Sequence, residues 1–104
     1  MGIDKYPRSP LRNAVNDAKA MKALLESKGV QVFHVYDCNI TELNTVVDDF
    51  VNSLQPGDAA LVFSACHGVE YNNAPRLIAI PQSGTPDLKK DSLNVLVLLD
   101  RLVT

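Results

Sequence analysis

The chain has 104 residues, of which 46% are hydrophobic and 21% charged, and its formal net charge at pH 7 is −2. This length allows one domain, and the composition is that of an ordinary globular protein. The weak negative charge and the lack of a basic stripe argue against nucleic-acid binding, and no apolar run approaches the length of a membrane span. The first ten residues lack the apolar core of a signal peptide, so we expect a cytoplasmic protein that keeps Cys38 and Cys66 reduced.

The first third of the chain is predicted to contain a loop, a helix and a strand. Residues 1–12 include two prolines, which interrupt any helix there. A helix is predicted from about Asn13, which is expected to cap it, to Lys28, because apolar side chains recur at helical spacing. Residues 30–36 are rich in β-branched and aromatic side chains, which predicts a strand.

A second helix and a second strand are predicted next. Asn39 and Glu42 have the spacing of a capping box, which predicts the start of a helix at that point. Apolar residues at helical spacing then continue that helix. Residues 59–65 are apolar on both faces, which is typical of a buried parallel strand.

The last third is predicted to hold a turn, a short strand and a helix. Residues 71–75 are expected to turn, residues 76–81 to form a third strand, and residues 82–91 to form a polar connection. Ser92 is expected to cap the final helix. This order of elements indicates an α/β domain with a mostly parallel sheet, in which functional sites lie at the carboxyl ends of the strands.

His67 and Gly68 follow the second predicted strand and therefore lie at such an end. An imidazole titrates near neutral pH and can transfer a proton during acyl transfer. Gly68 has no side chain, so its backbone N–H can approach a reacting carbonyl and donate to an oxyanion. The alternative is a structural histidine followed by a turn glycine.

Neither cysteine is predicted to be a nucleophile. Adjacent residues of a strand point to opposite faces, so the sulfur of Cys66 is expected to turn away from His67. Cys66 is then a small apolar side chain of the core. Cys38 follows the first predicted strand, and nothing in the sequence around it activates the thiol.

Asp17 lies in the first turns of the first predicted helix. A carboxylate at this position interacts favourably with the helix dipole, and this structural role alone would explain the residue. The functional alternative is a pocket anion that binds a cationic side chain.

Four segments of the chain resemble the large-subunit (p20-like) region of the caspase-like cysteine peptidases of clan C14. The segments are RNAVNDAKAMKALLESKG, VFHVYDCNITELNTVVDDF, PGDAALVFSACHG and RLIAIP. The resemblance covers roughly residues 2–104 and is closest to paracaspases and metacaspases. It implies a three-layer sandwich around a mostly parallel sheet. Residues 1–104 are then a single domain that contains only part of this sandwich.

The resemblance also implies an activity and assigns roles to three residues. His67 matches the catalytic histidine, and Gly68 matches the glycine that helps to form the oxyanion hole. Asp17 matches the acidic residue of the S1 pocket in metacaspases and paracaspases. These matches imply a cysteine-type endopeptidase, a hydrolase that cleaves polypeptides after Arg or Lys.

Two departures from the family pattern affect the expected activity. The family usually has glycine where this chain has Cys66. The nucleophilic cysteine is expected about 50 residues after the histidine, which places it beyond Thr104. The 104-residue chain is therefore expected to be inactive alone, and the alternative function is a non-catalytic caspase-like scaffold or regulatory domain.

The expected partners follow from the same resemblance. They are a polypeptide substrate with a basic P1 residue and the remainder of the caspase-like domain. Open sheet edges also favour a homodimer, whereas neither nucleic acid nor a membrane is expected as a partner. No cofactor is expected: some metacaspases use calcium, but the sequence shows no convincing carboxylate cluster for it.

Overall fold

The computed structural model describes residues 1–83, 85 and 87–103, and these residues form an α/β arrangement of three helices and three strands. In chain order the elements are α1 (Ala14–Ser27), α2 (Ile40–Ser53), β1 (Gly68–Tyr71), β2 (Ala74–Ile78), β3 (Ser92–Asn94) and α3 (Val95–Val103). The strands form an antiparallel sheet in the order β1-β2-β3. The α/β prediction is confirmed. Gly84, Pro86 and Thr104, which belong to the predicted polar connection and the end of the last helix, lie outside the described residues.

Helix α1 forms where the apolar spacing predicts it, but its cap is not the predicted one. The side chain of Asn13 makes no capping hydrogen bond. The carboxylate of Asp4 instead accepts hydrogen bonds from the backbone N–H groups of Ala14, at 2.8 Å, and Val15, at 3.3 Å. A cap from ten residues upstream depends on how the preceding loop folds, so local sequence spacing could not reveal it.

The capping box predicted for α2 is confirmed. The side chain of Asn39 accepts from the N–H of Glu42 at 2.9 Å, and the carboxylate of Glu42 accepts from the N–H of Asn39 at 3.2 Å. The two bonds satisfy backbone donors that the first turn of a helix leaves free.

The strands predicted at residues 30–36 and 59–65 do not form. Within the described residues, the parallel pairing there consists of two bridges, from Gly2 to Tyr36 and from Gly2 to Ala65. A parallel strand needs a partner along its length, and only the first residues of the chain lie between these two segments. A mostly parallel sheet and a three-layer sandwich are therefore not confirmed.

A β-hairpin occupies the region where a turn and one strand are predicted. β1 pairs with β2 through a two-residue turn, in which Asn72 and Asn73 adopt positive φ angles of 51° and 62°. Positive φ at both central residues is the geometry of a tight hairpin turn, and asparagine tolerates it well. The turn prediction is thus confirmed. The predicted third strand, residues 76–81, is wrong at both ends, since β2 covers Ala74–Ile78, and β1 was not predicted.

The predicted cap of the last helix is wrong by two residues. Ser92 lies in β3, where its hydroxyl accepts a hydrogen bond from Arg76. The side chain of Asn94 caps α3 by accepting from the N–H groups of Leu96 and Val97. Pairing of β3 with β2 delays the start of the helix. Among the described residues, no helix is long and apolar enough to cross a membrane.

The buried core lies between residues 1–12, α2 and the segments that follow Tyr36 and Ile78. Its members are buried side chains from four separate parts of the chain: Ile3, Tyr6, Cys38, Leu43 and Ala79. Two of them belong to residues 1–12, so this segment is a packed loop. The core thereby fixes the loop against the segment that carries His67.

Candidate active site

The amino-terminal loop, residues 4–13, is fixed at both ends by carboxylates. One carboxylate oxygen of Asp37 accepts from the N–H groups of Asp4, at 2.8 Å, and Lys5, at 3.1 Å. The carboxylate of Asp4 caps α1 at the far end of the loop. The main-chain carbonyl of Asp4 accepts from the N–H of Leu11 at 2.8 Å. These contacts hold the middle of the loop beside His67.

The imidazole of His67 is oriented by a main-chain carbonyl of this loop. Its Nε2 lies 2.7 Å from the carbonyl oxygen of Ser9. A carbonyl can only accept a hydrogen bond, so a neutral ring carries its proton on Nε2 and leaves Nδ1 as the acceptor. The ring of Tyr6 packs against the imidazole at a centroid distance of 4.5 Å. The geometry therefore fixes both the tautomer and the plane of the ring.

The hydroxyl of Tyr6 is inserted into the hairpin ladder beside the site. It donates to the carbonyl of Ile78 at 2.6 Å and accepts from the N–H of His67 at 3.1 Å. The N–H of Ile78 donates to the carbonyl of His67 at 2.9 Å, so one of the two ladder bonds of this pair is direct and the other passes through the hydroxyl. Burial raises the pKa of Tyr6, which keeps the hydroxyl protonated as the donor.

The backbone N–H of Gly68 points away from the hairpin. His67 and Ile78 form the hydrogen-bonded pair, so the next pair, Gly68 and Leu77, is a non-hydrogen-bonded one. β1 is an edge strand and Gly68 is exposed, which leaves this N–H open to a ligand. A Cβ at Gly68 would lie 3.5 Å from the carbonyl oxygen of Arg76, an ordinary contact, so packing alone does not require glycine.

Neither cysteine has the properties of an activated thiol. Cys38 is fully buried, and burial raises the pKa of its thiol to about 11. Burial also raises the pKa of Cys66, although the Tyr6 hydroxyl and the amino terminus act in the opposite direction. Cys66 packs against the core and, among the described residues, makes no hydrogen bond to the ring of His67. Both thiols are thus poor nucleophiles at neutral pH.

Asp17 lies in the first turn of α1 and is exposed. Its side chain makes no ion pair or hydrogen bond with any residue that the structure describes. His67 and Gly68 thus lie at the start of β1, and Asp17 is a carboxylate of α1 that pairs with none of the described residues.

Two residues of the site, Tyr6 and Ser9, were missed by sequence reasoning. Ser9 contributes only its main-chain carbonyl, for which no residue type gives a signal. Tyr6 does have a signal in the sequence, because it is an aromatic residue directly before Pro7 in a segment that is otherwise predicted to be a polar loop. An aromatic in such a place is a candidate for a side chain that folds back onto the core.

Within residues 1–83, 85 and 87–103, no group of three or more His, Cys, Asp or Glu side chains has the arrangement of a metal site. The expectation that the protein needs no cofactor stays a prediction.

Comparison with known proteins identifies a protein family. The family model of the caspase domain, Peptidase C14, matches residues 1–100. No curated protein and no solved structure matches the chain. The matched range includes the amino-terminal loop, α1, α2, His67 and the hairpin. The chain therefore belongs to the caspase-domain family of cysteine peptidases, Peptidase C14.

Proposed function

We propose that this chain is the large-subunit part of a caspase-like cysteine endopeptidase, with His67 as its catalytic histidine. Family membership supports the reaction class. The observation that carries the role of His67 is the 2.7 Å contact between its Nε2 and the carbonyl of Ser9. This contact gives a neutral imidazole one defined free nitrogen, as a general base requires.

The proposed reaction uses Nδ1 of His67 as the proton carrier. Nδ1 takes the proton of a cysteine thiol, and the thiolate attacks the carbonyl carbon of the scissile peptide bond. The imidazolium then returns the proton to the leaving amine as the C–N bond breaks, which leaves an acyl-enzyme that water hydrolyses. Since both thiols of this chain have raised pKa values, the proposal assigns the attacking cysteine to a position beyond Thr104.

Gly68 is the proposed oxyanion donor. Its N–H points out of the hairpin at the residue directly after His67, and the strand edge at that point is open. A donor that is already oriented stabilises the negative charge that develops on the carbonyl oxygen in the transition state.

Asp17 is the proposed substrate-binding residue, and it would give the specificity for Arg or Lys at P1 that is typical of paracaspases and metacaspases. The support is a carboxylate that is exposed and engaged with none of the described residues. Such a group can pair with an incoming cation without first breaking an internal ion pair.

We infer further that the complete domain is a sandwich around a mostly parallel sheet, in which residues 1–3 form part of a central strand. The support is that Gly2 bridges to Tyr36 on one side and to Ala65 on the other, both in parallel orientation.

The proposal is tested with the natural polypeptide that carries these residues, using a fluorogenic peptide with Arg at P1. His67→Ala should lower kcat by about 100-fold or more, the usual contribution of a general acid–base group. His34→Ala is the matched control, because His34 is exposed and contacts Tyr36 away from the site. Equal rates for the wild type and His67→Ala would refute the role of His67.

Specificity is tested separately with Asp17→Ala. The variant should lose most of its preference for Arg over Asp at P1, while its overall fold and its α1 helix persist. A variant that keeps the full preference would rule out Asp17 as the P1-binding residue.

A non-catalytic scaffold or regulatory domain is the second candidate function. The raised pKa values of both thiols favour it if no other cysteine lies beside His67. Reaction with iodoacetamide near pH 7 separates the two functions. A peptidase should lose activity on alkylation of one reactive cysteine other than Cys38 and Cys66. A scaffold should contain no cysteine that reacts faster than a free thiol in solution.

A further inference from the structure

The side chain of Arg76 is held in a fixed position on the middle strand of the sheet. β2 pairs with β1 on one side and with β3 on the other, so the backbone of Arg76 is fixed from both sides. The Nε–H of Arg76 donates to the hydroxyl of Ser92 at 2.7 Å. Ser92 is buried and donates its one hydroxyl proton to the carbonyl of Leu88, so its oxygen acts as the acceptor for Arg76. These bonds orient the plane of the guanidinium.

The outer end of this guanidinium is available to an anion. Nη1 and Nη2 of Arg76 make no ion pair or hydrogen bond with the residues that the structure describes. Two amino groups side by side match the two oxygens of a carboxylate, with which arginine forms paired hydrogen bonds. Arg76 is half-buried, and a cation that is partly removed from water is stabilised by an anionic partner. The oriented fork of Arg76 thus has the geometry of a carboxylate-binding group.

Two acidic residues in or beside the strands do not pair with Arg76. Glu70 is opposite the residue that precedes Arg76, and successive residues of a strand point to opposite faces, so Glu70 lies on the other face of the sheet. Asp91 is buried, and its carboxylate accepts from a backbone N–H at 2.9 Å. The residues opposite Arg76 on the neighbouring strands are Val69 and Asn94, which are both uncharged. The surroundings of the guanidinium on its own face are therefore neutral.

Arg76 and His67 project from the same face of the sheet. The N–H of Ile78 donates to the carbonyl of His67, so these two residues are opposite each other, and Arg76 lies two positions before Ile78. Residues two apart on a strand share a face. Ser92 is opposite Ile78 on β3, so the bond to Ser92 directs the guanidinium toward the row that contains His67. Two strand spacings, about 10 Å, separate His67 from Ser92 in this row.

We infer that Arg76 binds an acidic side chain of the polypeptide substrate, an Asp or Glu at the second or third residue after the scissile bond. The inference rests on the proposed function, in which His67 returns its proton to the leaving amine, so the residues after the cut begin beside the imidazole. An extended chain advances about 3.3 Å per residue, so its second and third residues lie about 7–10 Å from that amine. This distance matches the row from His67 to Ser92, to which the guanidinium is anchored. Arg76 thus selects substrates that carry an acidic residue after the cut.

A binding experiment tests this role without requiring cleavage. Two peptides with a free amino terminus and a fluorescent label at the other end, Ala-Glu-Glu-Ala and Ala-Gln-Gln-Ala, represent the leaving side of a substrate. Their binding to the natural polypeptide that carries these residues is measured by fluorescence anisotropy. The acidic peptide should bind at least about tenfold more tightly, because a carboxylate forms charge-assisted hydrogen bonds with the guanidinium, and Arg76→Gln should bind both peptides equally. Equal affinities in the wild type would overturn the inference, whether or not the protein cleaves peptides.

Arg101→Gln is the matched control, because it removes the same charge from α3, where Arg101 pairs with Asp48 at 3.0 Å. This variant should keep the preference for the acidic peptide. An equal loss of preference in Arg101→Gln and Arg76→Gln would indicate general charge attraction and overturn the inference. Inorganic phosphate should compete poorly with the acidic peptide. Phosphate that displaces the peptide at a concentration equal to or below the Kd of the peptide would identify a site for small anions and overturn the assignment to a substrate side chain.

Cleavage separates this inference from the proposed function. Internally quenched peptides with Arg at P1 carry Glu-Glu or Gln-Gln either at the second and third residues after the cut or at the two residues before P1. With the pair after the cut, the wild type should show a kcat/KM at least about tenfold higher for the acidic peptide, and Arg76→Gln should reduce this ratio to about one. A binding preference without cleavage of any peptide would refute the proposed function and support the binding of acidic residues by Arg76. A preference that survives Arg76→Gln, or that occurs only with the acidic pair before the cut, would overturn the inference.

Discussion

Replacing Tyr6 by phenylalanine removes one oxygen atom from the most constrained part of the candidate site. The Tyr6 side chain is 6% exposed, and its hydroxyl satisfies both the carbonyl of Ile78 and the N–H of His67. Tyr6→Phe keeps the ring that packs on the imidazole but leaves these two backbone groups without their partner. Leaving buried polar groups unpaired costs about 1–3 kcal/mol. We therefore expect the free energy of unfolding to fall by about 2 kcal/mol.

Urea unfolding measures this loss. At a slope of about 2 kcal/mol per molar urea, the midpoint should fall by about 1 M while the slope stays unchanged. Tyr71→Phe is the matched control, because Tyr71 is half-buried and its hydroxyl makes no hydrogen bond with the described residues. The control should change stability by less than about 0.5 kcal/mol. Equal losses in the two variants would refute the bridging role of the Tyr6 hydroxyl.

Three further predictions concern stability. Asp4→Ala should lower the free energy of unfolding by about 1–2 kcal/mol, because the α1 cap is lost, whereas Asn13→Ala should change it by less than about 0.5 kcal/mol. Thermal denaturation measures both losses, and a larger loss for Asn13→Ala than for Asp4→Ala would contradict the cap by Asp4. Asn39→Ala should cost about 1 kcal/mol by the same assay, and no loss would contradict the capping box. Stability should also fall between pH 9 and about pH 11, because the Cys38 thiol ionises in the unfolded chain near its ordinary pKa of 9.0 but in the folded chain only near 11. Urea midpoints across this range should decline less in Cys38→Ala, and an equal decline would contradict the burial of the thiol.

Local signals in the sequence predicted the helices well. The capping box of Asn39 and Glu42 acts over four residues, so its spacing alone was sufficient. The cap of α1 was not predicted, because the carboxylate that accepts its hydrogen bonds belongs to Asp4, which the amino-terminal loop separates from the helix. The apolar composition of residues 30–36 and 59–65 gave a β-propensity but could not say whether a partner strand lies between them.

The candidate site shows the same division between local and distant information. His67 and Gly68 were found from their position after an apolar segment, and the hairpin geometry explains the open N–H of Gly68. The two residues that orient the imidazole, Tyr6 and Ser9, lie about 60 positions away along the chain. Ser9 acts through its main-chain carbonyl, which every residue has, so the contact with His67 cannot be predicted from the type of residue.

The tautomer of His67 tests most directly whether this residue is an oriented general base. It is read from the nitrogen chemical shifts of the imidazole by NMR near pH 8, where an ordinary histidine is neutral. We expect a proton on Nε2 and an unprotonated Nδ1, because the carbonyl of Ser9 lies 2.7 Å from Nε2. The exposed His34 serves as the reference in the same spectrum. A His67 ring that carries its proton on Nδ1, or that matches His34, would contradict the claim that this chain holds an oriented general base.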